Sequence, residues 1–305
     1  MDEEVVKKYL RAGEIAFRVK QNVITYFRAG LKLLELGSFI EGMIKDFGAQ
    51  PAFPVNISIN SIAAHKTPLP DEVVPQIMEG DVVKIDVGVH VDGYIADTAI
   101  TLCIDDRFAL LVDAAKEALE KSLSSIREGV RFSSIGGVIE ETAKKYGLKS
   151  IRNLGGHSVG RYLIHAGDVI PNYNDITLFG KFRRGEAYAI EPFVSNGKGY
   201  VVELDEANIY ALTKTKFKNL TSQELQLASY VMERFKTLPF CERWLLREIN
   251  LPIDALRTVL NSLISKNIVK KYPILQEALS TAYVAQFEET VLISDDVLVI
   301  TNPKF

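Results

Sequence analysis

An α+β fold interrupted by a small helical subdomain is what this sequence predicts, and three observations carry the prediction. Helices followed by strands occur twice, once before about residue 105 and once from 107 to 212, which hints at two duplicated halves. Residues 215–272 depart from that order, with two helices and a short strand that suggest a winged-helix-like insertion. Strand character then resumes from Ala282 through Ile300, so the insertion lies between strands of one body. The expected division is residues 1–212 plus 273–305 for the main domain and 213–272 for the inserted subdomain.

The elements follow from local pattern. In the first 48 residues Val6, Leu10, Ile15, Val19 and Val23 recur every three to five residues with charges between them. Ser38-x-x-Glu41 has the form of a capping box opening a second helix. From residue 51 the pattern turns extended, through Phe53 to Ile59, and after a loop rich in proline and acid the run 81–102 follows. Residues 107–127 return to helix on Leu110, Leu111, Ala114, Leu119 and Leu123, and 134–146 form another that Gly147 ends. Extended segments dominate from Ile151 to about 212. In the insertion, 221–235 is helical, with Thr221 or Ser222 as its cap and Leu225, Leu227, Val231, Met232 and Phe235 as its apolar stripe. The next helix, 253–266, has Pro252 at its first turn, and 267–272 reads as a strand.

Composition narrows the function classes. The 305 residues are 47% apolar, ordinary for a soluble globular protein, and the net charge of −3 implies no broad basic surface for nucleic acid or anionic membrane. The lysine clusters 214, 216, 218 and 266, 270, 271 read as solubilising surface charge. Cys103 and Cys241 stand in dissimilar contexts, so neither a disulfide framework nor a metal finger is suggested and a reducing cytosol fits. The start Met1-Asp2-Glu3-Glu4 is the reverse of a secretory n-region, and no window approaches the roughly 20 apolar residues that span a bilayer. A cytoplasmic protein is expected.

Asp86, Asp97, His157, Glu191 and Glu288 read together as one metal site. Carboxylate oxygens with one imidazole suit divalent first-row metals better than a structural zinc. Residues 84–100 carry a hairpin signal, with Asp92-Gly93 as a two-residue type I′ turn. Pairing Val91 with Tyr94 sets Asp97 opposite Gly88 and leaves Asp86 two residues along on the same face. Diagonal neighbours of that kind lie roughly 7–8 Å apart, close enough for their carboxylates to share metals. Gly88, without a side chain, should leave the pocket open between them. His157 lies in Gly155-Gly156-His157, where the glycines let backbone approach a ligand, and His165 follows at even spacing. Glu191 ends an apolar run and needs a partner if buried. Glu288 and Glu289 face opposite ways on a strand, and periodicity does not choose between them.

In this order the motifs Ala63-Ala64-His65-Lys66-Thr67-Pro68, Lys84-Ile85-Asp86-Val87-Gly88, Asp97-Thr98-Ala99, Gly156-His157-Ser158-Val159-Gly160, Ile164-His165-Ala166-Gly167, Glu191-Pro192-Phe193 and Ala285-Gln286-Phe287-Glu288 resemble the type II methionine aminopeptidases, of compact archaeal-like form. The resemblance spans essentially the whole chain, insertion included, and implies the creatinase-like pita-bread fold with pseudo-two-fold halves. It further implies two divalent ions (cobalt, manganese, iron or zinc). Asp86 would be bidentate on one, His157 and Glu191 would complete the other, and Asp97 and Glu288 would bridge both. It thereby selects Glu288 over Glu289. By the same resemblance Glu191 is the proton shuttle, His65 and His165 bind the scissile amide and steady the tetrahedral intermediate, and Phe53 and Ile209 wall the methionine pocket. The implied partners are N-terminal methionines of nascent chains, at the ribosome, met by a monomer with no specific nucleic acid or membrane. Glu289 departs from the family, which usually has histidine there. Two neighbours of the same fold compete with this reading. Xaa-Pro dipeptidases share the ligand scheme but typically carry a large N-terminal domain, and non-enzymatic binding modules have lost ligands that are present here.

Overall fold

The computed structural model describes residues 1–72, 75–249 and 251–303. Its helices are α1 (Glu3–Tyr26), α2 (Leu33–Asp46), α3 (Ala109–Ser125), α4 (Phe132–Lys145), α5 (Ser222–Phe235), α6 (Glu242–Glu248) and α7 (Ile253–Ser265). The strands are β1 (Gln50–Pro51), β2 (Asn56–Ile59), β3 (Ile62–Ala64), β4 (Val82–Val91), β5 (Tyr94–Cys103), β6 (Lys149–Ser150), β7 (Gly155–Val159) and β8 (Val169–Pro171). They continue with β9 (Ala187–Ile190), β10 (Phe193–Ser195), β11 (Val201–Leu212), β12 (Val269–Glu277), β13 (Val284–Gln286), β14 (Glu289–Ile293) and β15 (Val297–Val299). Among the described residues no helix is long and apolar enough to cross a membrane.

The predicted duplication is visible in the layers. Helices α1 and α2 pack on the sheet β1-β4-β2, to which β5 adds on β4. Helices α3 and α4 pack on strands of the second half, whose main sheet runs β15-β14-β9-β7-β8. A large cluster joins α1, α2 and the first sheet to β9 and β14 of the second. This is the pita-bread arrangement. The β4–β5 hairpin has the predicted turn, with Asp92 at φ 50° and Gly93 at φ 87°, the two left-handed positions a type I′ turn requires. Gly147 at φ 72° closes α4, as expected of a helix stop.

Thr221 and Glu224 form a full capping box on α5. Leu227, Val231, Trp244, Leu256, Leu260 and Leu263 bury one another between the three helices of the insertion, and Tyr210, Leu212 and Val269 of the β11–β12 pair close that cluster.

Several local expectations fail for physical reasons. Helix α2 starts at Leu33 behind Lys32, and Ser38 and Glu41 lie inside it rather than capping it. Glu41 is buried and receives Arg243 Nη1 and Nη2, Trp244 Nε1 at 2.9 Å and the Val55 amide, so it anchors α6 to the body. Leu10, Leu110 and Leu225 sit at helical spacing yet are exposed. Helix α4 begins at Phe132, two residues before the expected start, and Pro252 is the N-cap of α7 rather than a first-turn residue. Helix α6 was not expected, because seven residues are too few to display a period.

Candidate metal centre

Asp86 sits mid-strand in β4 and Asp97 in β5, and the register pairs Gly88 with Asp97 as predicted. Gly88 does not leave open space: a Cβ there would lie 2.2 Å from Phe53 Cε1, so the missing side chain makes room for the phenyl ring. His157 is in the middle of β7, where a Cβ on Gly156 would meet the Ala189 carbonyl at 2.2 Å. That glycine allows β7 to lie close against β9, at whose end Glu191 emerges. Glu288 stands between β13 and β14 and bridges Ala99 of β5, which carries it across from the second half to the first.

These elements converge. Ligand atoms of Asp97, His157 and Glu288 lie within 4.8 Å of one another. His157 Nε2 is 3.6 Å from Glu191 Oε1 and 3.9 Å from Asp97 Oδ2. Asp86 and Asp97 are near enough for each carboxyl to influence the other's ionisation. Three buried carboxylate oxygens here lack any hydrogen-bond partner: Asp86 Oδ1, Asp97 Oδ1 and Glu288 Oε1. Leaving such groups unpaired inside a protein is costly, and acceptor-rich oxygens around one imidazole are what a divalent cation satisfies. The residues present therefore fit a metal.

The electrostatics agree. Burial pushes the Asp86 carboxyl up to about 7. Asp97, Glu191 and Glu288 are pushed well above the ordinary carboxyl range, by burial first and then by neighbouring carboxylates, Asp86 foremost for Asp97 and Glu191 and Asp97 foremost for Glu288. Burial and mutual repulsion of this kind disfavour the ionised carboxylates, and a bound cation would favour them. Burial pushes His157 down to about 4, so its imidazole is neutral and free to ligate.

Around the ligands lies a cavity of about 400 Å³, within the range of small-ligand sites. His65, His165, Phe53 and Ile209 all line it, so every residue singled out from the sequence reaches one place. His65 has a left-handed backbone, φ 65°, unusual outside glycine, and its Nδ1 is 3.1 Å from the Pro273 carbonyl. A carbonyl only accepts, so Nδ1 carries the proton and Nε2 is bare while the ring is neutral. Burial keeps His65 neutral by pushing it below the ordinary imidazole value. His165 opens on the cavity, 4.5 Å from the His157 ring between centroids, and is likewise pushed down by the surrounding protein and then by that ring.

Two neighbours escaped sequence reasoning. Gln286 Nε2 donates to Glu191 Oε2 at 3.1 Å and to Glu288 Oε2 at 3.4 Å. Its position two before Glu288, hence on the same face of a strand, was the available signal. Tyr272 packs edge-on to His65 at 5.4 Å, and nothing in the sequence marked it. Glu289 turns away from the cavity and meets Lys20 instead.

Comparison with known proteins agrees with this geometry. Residues 7–295 match the model of metallopeptidase family M24. The methionine aminopeptidase of Saccharolobus solfataricus is 42% identical over 303 residues, covering 99% of each chain. Among solved structures, a thermophilic Arx1 superposes with a TM-score of 0.86 at 18% identity, over 100% of this chain and 92% of that one. A methionine aminopeptidase from Thermotoga maritima gives 0.71 at 22% identity, over 99% and 98% respectively. At such identities the structural likenesses speak for the fold alone.

Proposed function

Because the chain belongs to metallopeptidase family M24 and aligns end to end with a methionine aminopeptidase, it is a metal-dependent aminopeptidase, and we propose that it removes methionine from unblocked N-termini whose second residue is small. The observation that carries this reading is the set of partnerless ligand atoms at the floor of a cavity that also holds Phe53, Ile209 and two further histidines.

We assign the site to two divalent ions of the manganese, iron, cobalt or zinc class. Asp86 would hold one, His157 and Glu191 the other, and Asp97 and Glu288 both. Such ions polarise a peptide carbonyl and lower the pKa of water. The protein's own groups do the rest. Glu191, steadied by Gln286 through one carboxylate oxygen, takes the proton of the attacking water and passes it to the leaving amine. His65 presents its bare Nε2 to the scissile N–H, and His165 donates to the carbonyl oxygen as negative charge builds there. The thioether packs against Phe53 and Ile209, both buried apolar side chains. A free α-ammonium approaches Asp86 and Asp97, which an acetyl cap would prevent.

His65→Ala and His165→Ala should each retain metal while turnover falls by roughly 10²–10³, the order lost with one preorganised hydrogen-bonding group at the reacting amide. Metal analysis beside kinetics checks this, and loss of metal from either variant would make that histidine a ligand instead.

Rates on Met-Ala-Ser, acetyl-Met-Ala-Ser, Ala-Ala-Ser, Met-Trp-Ser and an Xaa-Pro dipeptide test the function. Only Met-Ala-Ser should be cleaved well, with Ala-Ala-Ser slowed by lost burial at roughly 0.8 kcal/mol per missing methylene. Comparable rates on the acetylated and free peptides would refute the aminopeptidase reading.

We further propose a monomer acting in the cytoplasm on nascent chains at the ribosome. The family resemblance supports this, as do Cys103 and Cys241, both free. The division into 1–212 plus 273–305 and an inserted 213–272 is proposed on the separate apolar cluster of the insertion, with residues 304–305 outside those described.

A further inference from the structure

Asp97 lies in β5 and Glu288 between β13 and β14, and the link between them is built from a few named groups. The backbones of Ala99 and Glu288 exchange two hydrogen bonds, at 3.2 and 3.0 Å. Thr290 Oγ1 receives the Asp97 amide and lies 2.7 Å from the Asp97 carbonyl, to which it donates. On the other side, Thr98 Oγ1 lies 2.8 Å from the Glu288 carbonyl and 3.1 Å from Glu289 Oε2. Lys20 of α1 completes the set. Its Nζ donates to Thr98 Oγ1 at 2.8 Å and to Glu289 Oε1 at 2.6 Å, with both side chains of the ion pair only 7% exposed. A lysine buried this deeply on a helix face is rare unless it is paired, and here the pair touches the residues next to two metal-site carboxylates.

We propose that Lys20 and Glu289, acting through Thr98, are a positioning clamp that fixes the separation of Asp97 and Glu288 so that both can hold the same metal ions. This rests on the metal-site reading given above. The clamp has two jobs. Its hydrogen bonds hold β5 to β14 where only an isolated bridge joins their backbones. Its ammonium also grips the buried Glu289 carboxylate, which in turn touches Thr98, so that side chains from α1, β5 and β14 are held in one arrangement. The arrangement also accounts for a glutamate at 289: an acid there suits a lysine at 20, so the two positions act as a unit. Lys20 and Glu289 touch neither cavity nor substrate and are positioning residues.

Manganese(II) titration of the whole protein by calorimetry tests this without relying on catalysis. Lys20→Met and the isosteric Thr98→Val should each weaken manganese binding by about 10–100-fold, the usual effect of removing a group that orients metal ligands. Thr98→Ser, which keeps the hydroxyl, should bind close to wild type. In the weakened variants, raising manganese should recover Met-Ala-Ser cleavage with KM unchanged. Lys20→Met binding manganese as tightly as wild type, or more tightly, as an unneutralised Glu289 charge alone would produce, overturns the clamp. Should Lys20→Met fail to fold, the valine and serine variants at 98 decide, and equal affinities for those two overturn it. Tight manganese binding by wild type without Met-Ala-Ser cleavage would count against the aminopeptidase reading and leave the clamp standing.

Discussion

Glu191→Gln is expected to lower turnover on Met-Ala-Ser by roughly 10²–10⁴, the range a positioned acid–base group contributes. The substitution keeps shape and the contact with Gln286 but removes the charge that accepts a proton. It also removes an anionic ligand 3.6 Å from His157, so metal content should fall in parallel. Supplying excess metal separates the two losses: occupancy should return and turnover should not. Near-normal turnover at normal occupancy would place the proton acceptor elsewhere.

Exhaustive chelation is expected to abolish activity and leave the protein folded, with divalent metal restoring cleavage. The reason lies in the cores, not the site. The apolar clusters that hold both halves together include none of the five proposed ligands, so the chain is expected to fold without metal, unlike a zinc finger. Stability should still rise on metal addition, by about 2.7 kcal/mol at a hundredfold excess over Kd, because the cation binds only the native arrangement. Circular dichroism before and after chelation, thermal melts and the Met-Ala-Ser assay measure each part. Persistent activity in the chelated protein would remove the metal from the mechanism.

The sequence revealed the site more fully than its surroundings, and the difference has physical causes. The Asp86–Asp97 pairing was legible because Asp92-Gly93 admits one tight turn, and a period of two then sets every opposite residue. Glu288 against Glu289 was not, since a strand gives both faces equal standing and only resemblance chose. What stayed hidden are charges that the fold buries. Lys20 and Glu41 look like ordinary polar positions of amphipathic helices, and their partners Glu289 and Arg243 lie more than two hundred residues away. Local pattern carries no information about contacts of that range. For the same reason local spacing gives Glu41 the look of a capping acid, whereas in the fold it anchors Arg243.

The separation of the ligands along the chain also sets a timetable. Asp86 comes first along the chain, and Glu288 follows it by 202 residues. Glu288 directly precedes β14, which pairs with β9, so one segment both extends the second sheet and delivers the last ligand. During synthesis the chain lengthens at about 5–20 residues per second and folds mainly from its N-terminus. The first half can therefore be compact for many seconds while the metal site is still short of a wall. Contacts of such long range are also slow to form in refolding. Competence to bind metal is thus acquired only when Glu288 has joined Ala99, long after the hairpin that carries Asp86 and Asp97 has been made.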